Sequence, residues 1–129
     1  MNGMVVVDTD VLVDAIHGVD IAVNRLIQER FNSTLAISSM TRKELLVGCL
    51  NKTEQKALLK FLTSLQLIKL NVIIDDKADE LLQRYNLSHG LLVADALIAA
   101  TALTLDCSLL SKNQRDFRFI QDLKLLPYP

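Results

Sequence analysis

Met4-Val-Val-Val-Asp-Thr-Asp-Val-Leu-Val-Asp14 is the stretch on which the fold turns. Val5, Val6 and Val7 form an uninterrupted β-branched run, the pattern of a strand buried on both faces of a parallel sheet. The run ends abruptly at Asp8, and helical periodicity takes over from about Val11 to His17. Gly18 breaks that pattern, and a second helix is predicted over Ile21–Phe31. Thr34–Ile37 reads as the next strand, with Ser38 and Ser39 as turn or cap residues before a helix over Thr41–Leu50. Thr53–Leu65 follows as a helix, with Leu58, Phe61, Leu62 and Leu65 spaced as one apolar stripe. Leu67–Ile73 is strand-like, and Asp75 and Asp76 are expected to cap a helix over Lys77–Tyr85. The almost uniformly apolar Leu92–Leu105 is a helix, Ser108–Ser111 a strand, Phe117–Ile120 a helical turn, and Lys124–Leu126 a last strand before Pro127. This alternation predicts an α/β fold, a three-layer α/β/α sandwich around a mostly parallel, roughly five-stranded sheet, as one domain over 1–129.

The composition narrows the class of function. The 129 residues carry a formal net charge of −1, so no global basic field advertises nucleic-acid binding. That argues against a pure binding module. It leaves room for an enzyme whose phosphate contacts run through bound cations. Cys49 and Cys107 have no metal-ligand spacing and read as two buried free thiols in a reducing compartment. Met1-Asn-Gly-Met4 leads straight into the first strand without the pattern of a signal peptide. Ala96–Leu105 and Phe31–Thr41 are uncharged but too short to span a bilayer. A cytoplasmic protein with no membrane association is expected.

Open parallel sheets bind ligands at the carboxyl ends of their strands, so acids just after strands matter most. Asp8 follows the first strand. Asp95 is the only charged residue in Leu91–Leu103, where a buried unpaired carboxylate costs several kcal/mol. A helix N-terminus offsets only about 0.3–1 kcal/mol of that. Glu44 also fits a capping box with Thr41 as N-cap, and Asp116 fits a cap or a solvated loop. Taken together, these acids converge on one sheet edge, where like charges need compensation. Oxygen ligands without His or Cys suit magnesium or manganese, which activate water and offset charge on a phosphodiester.

Four segments carry a family resemblance: Val6-Val-Asp-Thr-Asp-Val-Leu-Val-Asp14, Ile37-Ser-Ser-Met-Thr-Arg-Lys-Glu-Leu-Leu-Val-Gly48, Asp95-Ala-Leu-Ile-Ala-Ala-Thr-Ala102 and Leu109-Leu-Ser-Lys-Asn-Gln-Arg-Asp-Phe117. In order and spacing the chain resembles the PIN-domain family, most closely the VapC-type toxins of toxin–antitoxin pairs. The resemblance implies that Asp8, Glu44, Asp95 and Asp116 form the catalytic cluster, with Asp8 and Asp95 as principal metal ligands and Ser111 and Asn113 in support. It implies a magnesium- or manganese-dependent endoribonuclease acting on single-stranded RNA, a cognate antitoxin as partner, and a homodimer. Asp10 stands where the family usually has Asn or Ser, Ser111 where it usually has Thr, and Asn113 where some relatives carry an acid. Asp14 reads as a polar residue of the first helix.

Asp8-Thr-Asp10 after an apolar strand also resembles haloacid-dehalogenase-type phosphatases, but Glu44 and Asp95 would then have no role. A receiver domain would need an Asp after a mid-chain strand, and Asn51–Lys60 has none. The presence of all four acids disfavours a catalytically dead interaction domain. A housekeeping PIN nuclease without an antitoxin would share the site. Arg42 and Lys43 flank Glu44, while Lys112, Arg115 and Arg118 surround Asp116, which makes them candidates for a basic RNA-binding rim. His17 and His89 stand singly near helix ends and read as surface or capping residues.

Overall fold

The structure is a computed structural model that describes residues 3–129; the reading of the first residues falls partly on Met1 and Asn2, outside that range. Four strands form one sheet in the order β3-β2-β1-β4. They are β1 (Gly3–Val7), β2 (Ser33–Ser38), β3 (Gln66–Ile68) and β4 (Ser108–Leu110). Every pairing is parallel: β1 aligns Val6 with Ala36 of β2 and with Leu109 of β4, and β2 aligns Ile37 with Leu67 of β3. Six helices, α1 (Thr9–Ile16), α2 (Asp20–Asn32), α3 (Ser39–Val47), α4 (Lys52–Leu62), α5 (Val72–His89) and α6 (Val93–Thr104), cover the two faces.

The β1 valines divide the core by strand alternation. Val6 faces the α5–α6 side, with Ile74, Leu81, Ile98, Leu109 and Phe117. Val5 and Val7 face the opposite side, with Leu12, Leu26, Leu35, Leu58, Leu62 and Leu65. That is the expected three-layer sandwich. Helix α6 is apolar nearly all round because it is sunk into the core, and its buried alanines 96, 99, 100 and 102 permit close packing. The α4 stripe lies in the core, with Phe61 packed at its margin.

The fifth strand shrinks to one parallel bridge between Leu125 and Leu109, held by Leu109 N–H to the Lys124 carbonyl and Leu126 N–H to the Leu109 carbonyl, both 2.9 Å. Pro127 follows at once and has no N–H with which to extend the ladder. The expected strand over Leu67–Ile73 is also shortened. Asn71 accepts a hydrogen bond from the Ile74 N–H at 2.9 Å and starts α5 at Val72, so Asp75 and Asp76 lie inside the helix rather than capping it. The apolar run Val72–Ile74 looked strand-like, but only Ile74 is buried; Val72 and Ile73 are 75% and 66% exposed. The turn predicted at Phe117–Ile120 is preceded by a short 3-10 helix, Gln114–Asp116. Cys107 is buried, whereas Cys49 is only half-buried. No helix among the described residues is long and apolar enough to cross a membrane.

Candidate active site

The chain runs outward from β1 through β2 to β3 and then returns to place β4 on the other side of β1, so a topological switch point lies between β1 and β4. Asp8 sits at its carboxyl edge as the N-cap of α1, accepting from the Thr9 N–H at 2.8 Å. Ser111, just beyond β4, donates its hydroxyl to the other Asp8 oxygen at 2.7 Å, and both residues are buried. Helix α6 precedes β4, so its N-terminal turn points to the same edge and carries Asp95 there.

Glu44 comes from α3. Ser38, rather than Thr41, is the N-cap of that helix, accepting from the Met40 N–H at 3.1 Å. Thr41 lies inside α3 and is buried, and the capping-box reading of Glu44 fails with it. The Glu44 carboxylate instead accepts from the Thr9 hydroxyl at 2.6 Å, which also lies 3.1 Å from the Thr41 hydroxyl. Asp116 closes the 3-10 turn and accepts from the Asn113 side-chain amide. The Asn113 N–H in turn donates to Ser111 Oγ at 3.0 Å. Asn113 therefore links Asp116 to Ser111.

The electrostatics tie these groups together. Asp8 is pushed from its ordinary 3.8 up to about 7, chiefly by burial and then by Asp10; Ser111 and the Thr9 N–H oppose the shift, and Asp95 adds to it. Asp95 is raised to about 6 by burial, then by Asp116, Glu44 and Asp10. No lysine or arginine offsets either carboxyl. As they stand, no three His, Cys, Asp or Glu side chains among the described residues are gathered tightly enough to hold one ion. The donor chemistry fits a hard divalent cation: carboxylate oxygens, with the buried Asp8 and the half-buried Asp95 lacking a positive neighbour among the described residues.

The basic residues divide. Lys112 is committed to Asp14, Nζ to Oδ2 at 2.9 Å, and its own backbone N–H donates to Asp10 at 3.2 Å. Asp14 is thus more than a polar helix residue. Lys43 donates to Ser39 at 2.7 Å. Arg115 and Arg118 are exposed, Arg42 half-buried, and none of the three is in an ion pair among the described residues. Thr9 is not singled out by the sequence, and Thr41 reads there only as a cap. The only signal was the hydroxyl of Thr9 between two acids.

Comparison with known proteins gives a consistent result. A family model described as "PIN domain" matches residues 5–122. Ribonuclease VapC10 of Mycobacterium tuberculosis is 33% identical over 122 residues, covering 94% of this chain and 91% of that protein. Ribonuclease VapC19 of the same organism is 35% identical over 124 residues, covering 94% and 98%. Among solved structures, VapBC2 from Rickettsia felis, bound to a DNA fragment from their promoter, superposes with a TM-score of 0.83 at 29% identity, covering 98% of this chain and 99% of that one.

Proposed function

Because the chain belongs to the PIN domain family, we propose that it is a divalent-metal-dependent endoribonuclease that cuts single-stranded RNA and serves as the toxin of a toxin–antitoxin pair. Membership of this family sets aside the phosphatase and receiver-domain readings. The VapC ribonucleases that resemble the chain over nearly its whole length, and the likeness to a VapBC complex, support the RNase, the antitoxin partner and the toxin role. A homodimer is part of the same reading.

One observation carries the mechanism: Asp8 and Asp95 are raised toward neutrality and have no cationic side chain to offset them. They would be the principal ligands of magnesium or manganese, with Glu44 and Asp116 completing the site directly or through water. When bound, the cation supplies Lewis acidity toward the phosphodiester and toward water. The protein's own groups set the geometry. Ser111 and the Thr9 N–H hold the two Asp8 oxygens, which fixes the carboxylate plane. Thr9 orients Glu44, and Asn113 orients Asp116. Arg115 and Arg118 supply positive charge for phosphates on either side of the cut.

The test is cleavage of a mixed RNA pool with magnesium or manganese, with and without chelator, by wild type and Asp95→Asn. Loss of cleavage in both the chelated and the substituted samples is expected. Cleavage that survives both overturns the mechanism.

A further inference from the structure

His89 ends α5 and Phe119 lies three residues beyond Asp116, and their rings are stacked, with centroids 4.2 Å apart and planes 13° from parallel. Tyr85 braces the pair edge-on, 5.2 Å from Phe119 and 5.8 Å from His89. The Tyr85 hydroxyl accepts from the Gln121 N–H at 3.1 Å, and Arg84 donates to the Gln121 side chain at 2.9 Å. The Phe119 segment is therefore fastened to α5 on the far side of the ring. Phe119 is half-buried against the core, whereas His89 is exposed, so the imidazole is the outer member of the stack.

The location gives the stack meaning. A chain segment of three residues spans at most about 11 Å, so Phe119 cannot lie far from Asp116. Asp116 in turn acts on Asp95, and Asp95 begins the helix that follows His89 after a tight turn at Gly90, whose φ is +72°. The two stacked rings are thus each joined by a short chain segment to one of two acids, Asp116 and Asp95, that repel one another. Arg118 stands between Asp116 and Phe119, exposed and without an ion-pair partner among the described residues. A rigid aromatic step with an exposed arginine next to it in the chain suits unpaired bases, because every base has a π-face and every nucleotide a phosphate.

We propose that the His89–Phe119 stack is a nucleobase subsite, receiving on the outer face of His89 an unpaired base one or two nucleotides from the bond that is cut. This inference rests on the ribonuclease reading above and adds a reason for single-strand selectivity: a base paired in a duplex cannot present its face to the ring. His17, the other histidine, merely ends α1 and has no stacking partner among the described residues.

The experiment measures binding by the non-cleaving Asp95→Asn protein of a mixed-sequence single-stranded RNA and of a uniformly abasic ribose-phosphate oligomer. His89→Ala should weaken binding of the RNA by about five- to fifty-fold. It should leave the abasic oligomer's affinity unchanged and lower the melting temperature by no more than a few degrees, the cost of one lost aromatic contact, and His89→Tyr should restore RNA binding. Equal loss on both oligomers, or none on either, overturns the base subsite while wild-type cleavage still supports the nuclease. A wild type that neither cleaves nor binds RNA overturns both.

Discussion

Away from the carboxyl edge of the sheet, opposite charges find each other: Arg25 with Glu29 at 3.1 Å, Lys77 with Glu80 at 3.2 Å, Lys124 with Asp106 at 2.9 Å. At that edge the matching is incomplete: Lys112 pairs with Asp14 at 2.9 Å, and the other charges nearest Asp8 stay apart. Asp8 and Asp95 have no cation, and Arg115 and Arg118 have no carboxylate, although Asp116 lies between the two arginines in sequence. Surface pairs are worth little, about 0–1 kcal/mol, so the first region is ordinary solvated protein. Leaving a buried acid such as Asp8 unmatched is costly, and local rules are broken in this way at functional sites. On the proposed function, keeping the two signs apart would leave the acids free for a metal and the arginines free for phosphate.

The largest break in that contrast should come from removing a floor acid. Asp95→Asn keeps the shape but removes the charge. Losing a group that only supports a metal ligand costs 10–100-fold, so losing the ligand itself should cost more than about 100-fold in RNA cleavage. Single-turnover assays at saturating magnesium or manganese check this. A loss below tenfold would place the metal elsewhere.

The unmatched acids also make a prediction about stability. Asp8 and Asp95 have folded-state values raised from 3.8 to about 7 and about 6. The native state therefore holds protons that the unfolded chain has released. Without metal, the stabilising contribution of these two groups is fully present below about pH 4, falls as pH rises and is gone above about 7, so wild type should lose more stability between pH 4 and 7 than Asp8→Asn, by on the order of a few kcal/mol. Saturating metal, which binds the ionised native site, should remove most of that fall, and Asp8→Asn should flatten it without metal. Melting temperatures across the pH range, with and without magnesium, measure it. An identical metal response in wild type and Asp8→Asn would mean that the acids do not act together.

A smaller effect is expected from the neutral groups that hold the outer acids. Thr9→Val removes the donor to Glu44 but leaves every carboxylate in place. Cleavage should fall about tenfold, in the range for groups that orient metal ligands, and excess metal should recover part of it. Recovery by Thr9→Ser, which retains the hydroxyl, separates this from a packing defect.

Much of the fold was legible in the sequence, and the exceptions have two causes. The β1 valines and the apolar α6 announce their burial locally, and so the sandwich and the acids after its strands could be read. What could not be read depends on residues distant in sequence. Thr9 meets Glu44 across 35 positions and Ser111 meets Asp8 across 103. The misplaced caps have a local origin: Ser38 and Asn71 outcompete Thr41 and Asp75 as N-caps, and periodicity does not choose between neighbouring cap candidates. The roles of the acids in catalysis remain part of the proposal.

The smallest effect concerns the cations, and here the structure reorders an expectation. From sequence, Lys112 and Arg115 are equivalent members of a basic rim. In the fold Lys112 is held 2.9 Å from Asp14, while Arg115 has no ion-pair partner among the described residues. A lysine already neutralised releases few counterions from RNA when it contacts a phosphate. Each free cation on a single-strand phosphate contributes a slope of about −0.7 in log affinity against log salt. In the Asp95→Asn background, Arg115→Gln should therefore flatten the slope by about 0.7, Arg118→Gln by a similar amount, and Lys112→Gln by distinctly less. Metal-induced stabilisation should be unaffected by the arginine changes, since neither arginine acts on Asp8 or Asp95. Should Lys112→Gln flatten the slope as much as Arg115→Gln, the Asp14 pair opens when RNA arrives. Should none of the three change it, RNA reaches the carboxylates by another path.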